Sequence, residues 1–265
     1  MGVALLAAVC LGLGWWVGQL QQGAPVAGSR PALELEVSKL QQLIKDGKAK
    51  PTDQQRLLEL LVALDRRLEA TPLLETLADQ DPEKWTLRLL LAEVRRDQND
   101  PAGAERELRQ LLSQRPNQVE ALQLMALLQL EAGRGEQAQA LVQASLKRTT
   151  TPSLKPEALP IGLVLAQVLE RRGFPGKAEA ELIRLATRFP DDPRPLLARA
   201  MLQHERGQRQ EAMQSLNEAR TRQTDPKAQQ QLDRVAAAWG MQVLKDPESD
   251  RIQQPPRASA GSESP

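Results

Sequence analysis

Apolar and small residues recur along the middle of the chain in one fixed order. Ala70, Ala104, Ala138, Ala178 and Ala212 mark the step, which is 34 residues except between Ala138 and Ala178, where six are added. Four residues beyond each alanine stands an apolar residue: Leu74, Leu108, Val142, Leu182 and Leu216. Ala92, Ala126, Ala166 and Ala200 stand twelve residues before the last four alanines, and Asn99, Gly133, Gly173 and Gly207 stand five before them. Residues four apart share a helix face. A period of this length with a turn residue between two small residues predicts stacked helix–turn–helix units. Five units follow, at residues 51–84, 85–118, 119–152, 159–192 and 193–226. The added residues fall near Pro152 to Ala158, between units, where a longer loop leaves the packing undisturbed.

The second unit shows the chemistry most plainly. Leu87, Leu91 and Val94 share a face of its first helix, Asn99-Asp100-Pro101 supplies the turn, and Ala104, Leu108 and Leu111 line its second helix. Ala92 and Ala104 lie where the two helices cross, and larger side chains there would hold them apart. Glycine at the other turns suits the positive φ that ends a helix. The first unit departs most, with Leu58 in place of the small residue and Asp65 in place of glycine, as terminal repeats commonly do. No stretch alternates with period two, so the fold class is all-α, an α-α superhelix.

Segments outside the repeats read differently. Residues 31–50 predict an N-terminal capping helix, with Leu33, Val37, Leu40, Leu43 and Ile44 on one side and Gly47 after it. Residues 227–244 predict a closing helix with Leu232, Val235, Ala236 and Trp239 on one face. Residues 245–265 are rich in Pro, Ser, Glu and Gln, and are expected to be disordered. Gly2 to Gly18 carries no charged side chain. As a helix, about 17 such residues reach about 26 Å, near the thickness of a bilayer core. Residues 2–20 are therefore expected to be a single-pass transmembrane anchor, with Trp15 and Trp16 at the interface and residues 21–30 as a linker. The alternative is a signal peptide cleaved near Val26-Ala27-Gly28, which would release a secreted or periplasmic protein. Gly14 and Gly18 give a small-residue pair suited to self-association of the anchor. Arg30, the nearest basic side chain, leans the topology toward a cytoplasmic domain.

The ordered residues Leu91, Ala92, Asn99, Ala104, Leu108 and Pro116, and again Leu165, Ala166, Gly173, Ala178, Leu182 and Pro190, resemble the tetratricopeptide repeat family. The similarity covers residues 51–226. The family's usual aromatics are mostly replaced by Leu, Val or Gln, and Arg199 stands where a large apolar residue is usual. The resemblance implies a right-handed superhelix whose first helices line a concave groove for a protein or peptide partner. Carried onto this chain, the groove positions on the earlier first helices are Glu93, Arg96, Gln123 and Leu127. On the later ones they are Gln167, Glu170, Arg194, Leu197, Met201 and His204. The subset that clamps a C-terminal carboxylate with Lys and Asn is not matched, because Gln55, Leu89, Gln123, Leu163 and Leu197 occupy its lysine position.

Composition narrows the chemistry. With 35 basic and 34 acidic residues, the chain has no excess charge to bind nucleic acid. Cys10 is the lone cysteine and His204 the lone histidine, so no disulfide, metal site or Cys/His pair is expected. Gly173 to Lys177 mimics part of a phosphate loop, but Ala178 follows where Ser or Thr is needed. Glu105 to Arg109 reads as an exposed, salt-bridged helix face. Neither catalytic residues nor a cofactor are expected. These features predict a membrane-anchored interaction scaffold serving assembly of a membrane or envelope complex, or else a soluble carrier or envelope regulator after signal cleavage.

Overall fold

The computed structural model describes residues 29–230 and 232–235. The expected anchor (residues 2–20), most of its linker, residues 236–244 of the closing helix and the tail lie outside them. Among the described residues no helix is long and apolar enough to cross a membrane. The chain forms two compact units, divided between Arg115 and Pro116.

The first unit holds five helices: α1 (Arg30–Lys45), α2 (Pro51–Ala63), α3 (Arg67–Gln80), α4 (Trp85–Asp97) and α5 (Pro101–Gln114). Each packs on the next. Val37 and Leu40 of α1 join a core with Leu57, Leu60 and Leu61 of α2, Ala70 and Leu74 of α3, and Leu91 and Val94 of α4. Leu43, expected on the packed side of α1, is exposed instead; Leu33 and Ile44 fill that side.

In the second unit come α6 (Val119–Glu131), α7 (Gly135–Thr150), α8 (Ala158–Arg171), α9 (Pro175–Arg188), α10 (Arg194–Glu205) and α11 (Arg209–Arg222). Neighbours in sequence pack together, and the first helices α6 and α8 also touch directly. Beyond α11 the chain is helical again at 226–230 and 232–235, where Leu232 covers Ala200 and Leu216. The added residues form an exposed loop at 151–157.

All five marker alanines and the apolar residues four beyond them are buried. The intervening turns share one geometry. Asp65, Asn99, Gly133, Gly173 and Gly207 have φ of 57°, 61°, 73°, 81° and 75°, the left-handed region that stops a helix. At Asn99 the N–H donates to the Arg96 carbonyl (2.9 Å) and the next N–H, of Asp100, reaches Arg95 O (2.8 Å). Gly173 and Phe174 repeat that pair of bonds to Glu170 and Leu169 at 2.8 and 2.9 Å. Asp100 then caps α5, its carboxylate accepting from the Gly103 N–H at 2.8 Å. A Cβ on Gly103 would lie 1.9 Å from that carboxylate, so the cap itself requires glycine there.

A further expectation fails. Glu105 and Glu107 are buried rather than exposed. Glu107 receives Arg88 at 2.7 Å and lies 3.6 Å from Arg95, both also buried. Arg88 further donates to Gln110 (2.9 Å), Asp79 (2.9 Å) and the Ala78 carbonyl (3.1 Å), while Arg95 pairs with Glu75. Charges enter this core because each is matched by an opposite one. Arg199, set where the family has an apolar residue, is likewise paired, with Glu179 at 3.2 Å.

Candidate interaction face

The residues expected to line a groove divide between the units. Glu93 and Arg96 are on α4 in the first; the other eight belong to the second.

In the first unit the face is charged. Glu93 is half-buried, and its carboxyl is pushed up to about 7, chiefly by burial and then by the Asp97 carboxylate one turn on; Arg67 and Arg96 pull the other way. Asp97 is itself held by Arg67, which also binds Asp65 at 2.8 Å. This part of the face is closed among its own charges.

The second unit presents a different surface. On α6, α8 and α10 the residues at the fifth, ninth and twelfth positions of each repeat lie three or four apart, which places them on one stripe per helix. Gln123 and Leu127 carry it on α6, Leu163, Gln167 and Glu170 on α8, and Leu197, Met201 and His204 on α10. All eight are half-buried, so each leaves part of its side chain open to solvent. Arg194 is exposed at the start of α10 and is bound to Asp192 at 2.8 Å. At the far end Glu170 lies within electrostatic reach of the Glu205 carboxyl. Burial first, and then this second carboxyl, push Glu170 up to about 7, with Arg171 opposing. Glu179, around the corner on α9, behaves oppositely: burial would raise it, but hydrogen bonds from Gln203 and Arg199 hold it below the usual carboxylate range.

Asp97 and Glu205 were not among the expected face residues. Both stand at the thirteenth position of their repeats, and widening the stripe by one residue finds them. Among the described residues, no three His, Cys, Asp or Glu side chains gather as metal ligands would.

Profiles of the tetratricopeptide repeat match residues 56–119, 95–155 and 163–228, together more than half of the chain. The chain belongs to the tetratricopeptide repeat family. Among solved structures, yeast Tom70 aligns over 91% of this tetratricopeptide repeat chain with a TM-score of 0.56 and 14% identity, the chain spanning 50% of Tom70. A tetratricopeptide repeat protein from Parabacteroides merdae aligns over 84% of this chain and 94% of its own, with a TM-score of 0.50 and 15% identity. TTC0263, a thermophilic repeat protein of Thermus thermophilus, is 20% identical over 72% of this chain and 98% of its own, with a TM-score of 0.49. At such identities the likeness is one of fold. No curated protein matches the chain. Tetratricopeptide repeats are in general non-enzymatic scaffolds that bind protein or peptide partners, and this chain has their all-α repeat fold.

Proposed function

We propose that the protein is a membrane-anchored scaffold whose first-helix face in the second unit docks a segment of a protein partner during assembly of a membrane or envelope complex. One observation carries the docking: Leu127, Leu163, Leu197 and Met201 stand half-open to solvent on neighbouring first helices, while the alanines and leucines of the repeat period are fully inside. Apolar side chains left on one helix face suit a partner helix or extended peptide, with Gln123 and Gln167 placed to hydrogen-bond to it. Anchoring rests on the uncharged run Gly2 to Gly18, and leaves the side of the membrane open.

The test is a photo-crosslinking residue placed at Gln123 or Met201 of the full chain in its host cells. An adduct with one protein is the expected result, and no adduct from either position contradicts docking on this face. N-terminal sequencing of the mature protein tests the anchor separately. A start near Ser29 would replace the anchored reading by the secreted or periplasmic one.

A further inference from the structure

The last described residues of the chain lie against the interaction face. Helical residues 232–235 follow α11, and Leu232 packs on Ala200 of α10 and Leu216 of α11, with Leu197, Met213 and Val235 set around them. Asp233 and Arg234, between the two apolar residues, face solvent, and Asp233 is bound to Arg220 at 2.6 Å. Leu197 belongs to the open first-helix stripe, so one edge of that stripe is already met by the chain's own C-terminal part. Immediately after Val235 the sequence runs Ala-Ala-Ala-Trp-Gly-Met-Gln-Val-Leu, residues 236–244, with no charged side chain. From Lys245 onward the only large aliphatic residue is Ile252. An uncharged apolar stretch is costly to leave in water and gains by covering other apolar surface. Of the open apolar side chains in the second unit, Leu154, Phe174 and Ile183 stand singly on a loop, a turn and α9. Leu163, Leu197 and Met201 share the first-helix face, and the stretch sets out from Val235, in the same cluster as Leu197.

From this continuity we propose that residues 236–244 lie across Leu197, Met201 and Leu163, led by Trp239 and Met241, so that the chain occupies its own docking face until a partner displaces it. The inference rests on the docking reading above and adds its regulation. Reach is sufficient. Nine residues span up to about 30 Å extended and about 14 Å as a helix, while packed helices stand about 8–10 Å apart. Met201 is one helical turn from Leu197 on α10, and Leu163 is on the preceding first helix. The contact need not be strong, because a segment tethered beside its site acts at an effective concentration near the millimolar range. Its consequence is selective: a partner's apparent affinity falls by the fraction of the face left free, so only a segment with better apolar contacts enters. Until then the leucines and methionine are kept from non-specific association.

The purified full chain carrying a photo-crosslinking residue at Met201 is irradiated over a series of protein concentrations, and the adducts are mapped by mass spectrometry. An intrachain adduct to residues 236–244, its yield independent of concentration, is the result expected. No such adduct, or one that joins two copies and grows with concentration, would overturn the proposal. So would an adduct from a crosslinker at Met213 on α11 with none from Met201, which would put the segment over the last repeat's own core. The double variant Trp239→Ser, Met241→Ser should lose the adduct about fivefold or more and, in host cells, raise the partner adduct from Gln123 about threefold. Ile252→Ser should change neither. A partner adduct that forms equally in the parent and the double variant would overturn self-occupation and leave docking intact. Absence of any partner adduct from Gln123 in parent and variant alike, with the variant still melting cooperatively, would overturn the docking reading itself.

Discussion

In the first unit α4 sits against its neighbours with charges inside, Arg88, Arg95 and Glu107 all being buried. In the second unit the corresponding first helix, α8, buries Leu159, Ile161, Val164, Leu165, Val168 and Leu169 and has no buried charge. The outer stripes differ in parallel. On α4 the stripe is Glu93, Arg96 and Asp97, tied to Arg67; on α8 and α10 it is mostly leucine, methionine and glutamine. The same repeat geometry therefore supports one seam in which polar groups are spent on the fold and another in which apolar groups are left over. The leftover groups are what a partner can use.

The largest effect is expected where the buried charges are broken singly. Arg88→Met removes the closest partner of Glu107, whose remaining cations Arg95 and Arg106 stand farther off at 3.6 and 3.5 Å, and should cost about 3–5 kcal/mol of unfolding free energy. Arg88→Met with Glu107→Leu should recover most of it, because a pair replaced by apolar groups of similar size is near neutral. Denaturant unfolding of the three chains checks this, and equal losses in the single and double variants would show that the seam depends on charge after all. In the apolar seam Leu165→Ala should cost about 2–5 kcal/mol, as for other buried leucines, with no rescue by a second polar change.

Smaller effects separate the turns. Asn99 holds a left-handed φ of 61° without being glycine. Asn99→Ala should destabilise by about 1–2 kcal/mol and Asn99→Gly should not, and thermal melts distinguish them. The Gly133→Ala change should cost a similar amount in the second unit, since its φ is 73°.

The smallest effect concerns pH. A carboxyl lifted from about 4.5 to about 7, as Glu93 is, keeps in the folded state a proton that the unfolded chain releases between those values. The contribution of Glu93 to stability is therefore greatest below pH 4.5 and is lost as the pH rises through about 7. Glu93→Gln should leave stability at pH 4 unchanged and raise it at pH 8 by about 1 kcal/mol. Chemical denaturation at the two pH values reads the difference.

The repeat was legible in sequence because it rests on residues that have few alternatives. Alanine at a helix crossing and glycine at positive φ are demanded by contact and by backbone geometry, and both recur at fixed spacing. Asp65 and Asn99 kept the turn geometry without glycine, and the spacing located them even so. The buried ions were hidden for the opposite reason. Glu105 and Arg109 are four apart on one helix, as an exposed pair would be, and only the neighbouring helices decide that the glutamate is inside. Arg199 looked like a defect in the pattern until Glu179, twenty residues earlier, supplied its partner. Of the interaction face, the stripe was visible as periodicity. The influence of Glu205 on Glu170 was not, because it joins helices from different repeats.

Docking on the second unit's first-helix face is tested most directly by the yield of the in-cell adduct from a photo-crosslinker at Gln123, compared between Leu163→Asp and Ile183→Asp. Ile183 is exposed on the second helix α9, away from the first-helix stripes, and serves as the control. Loss of the adduct with Leu163→Asp and its retention with Ile183→Asp is the result expected. Equal yields from the two variants, whether both kept or both lost, would contradict it.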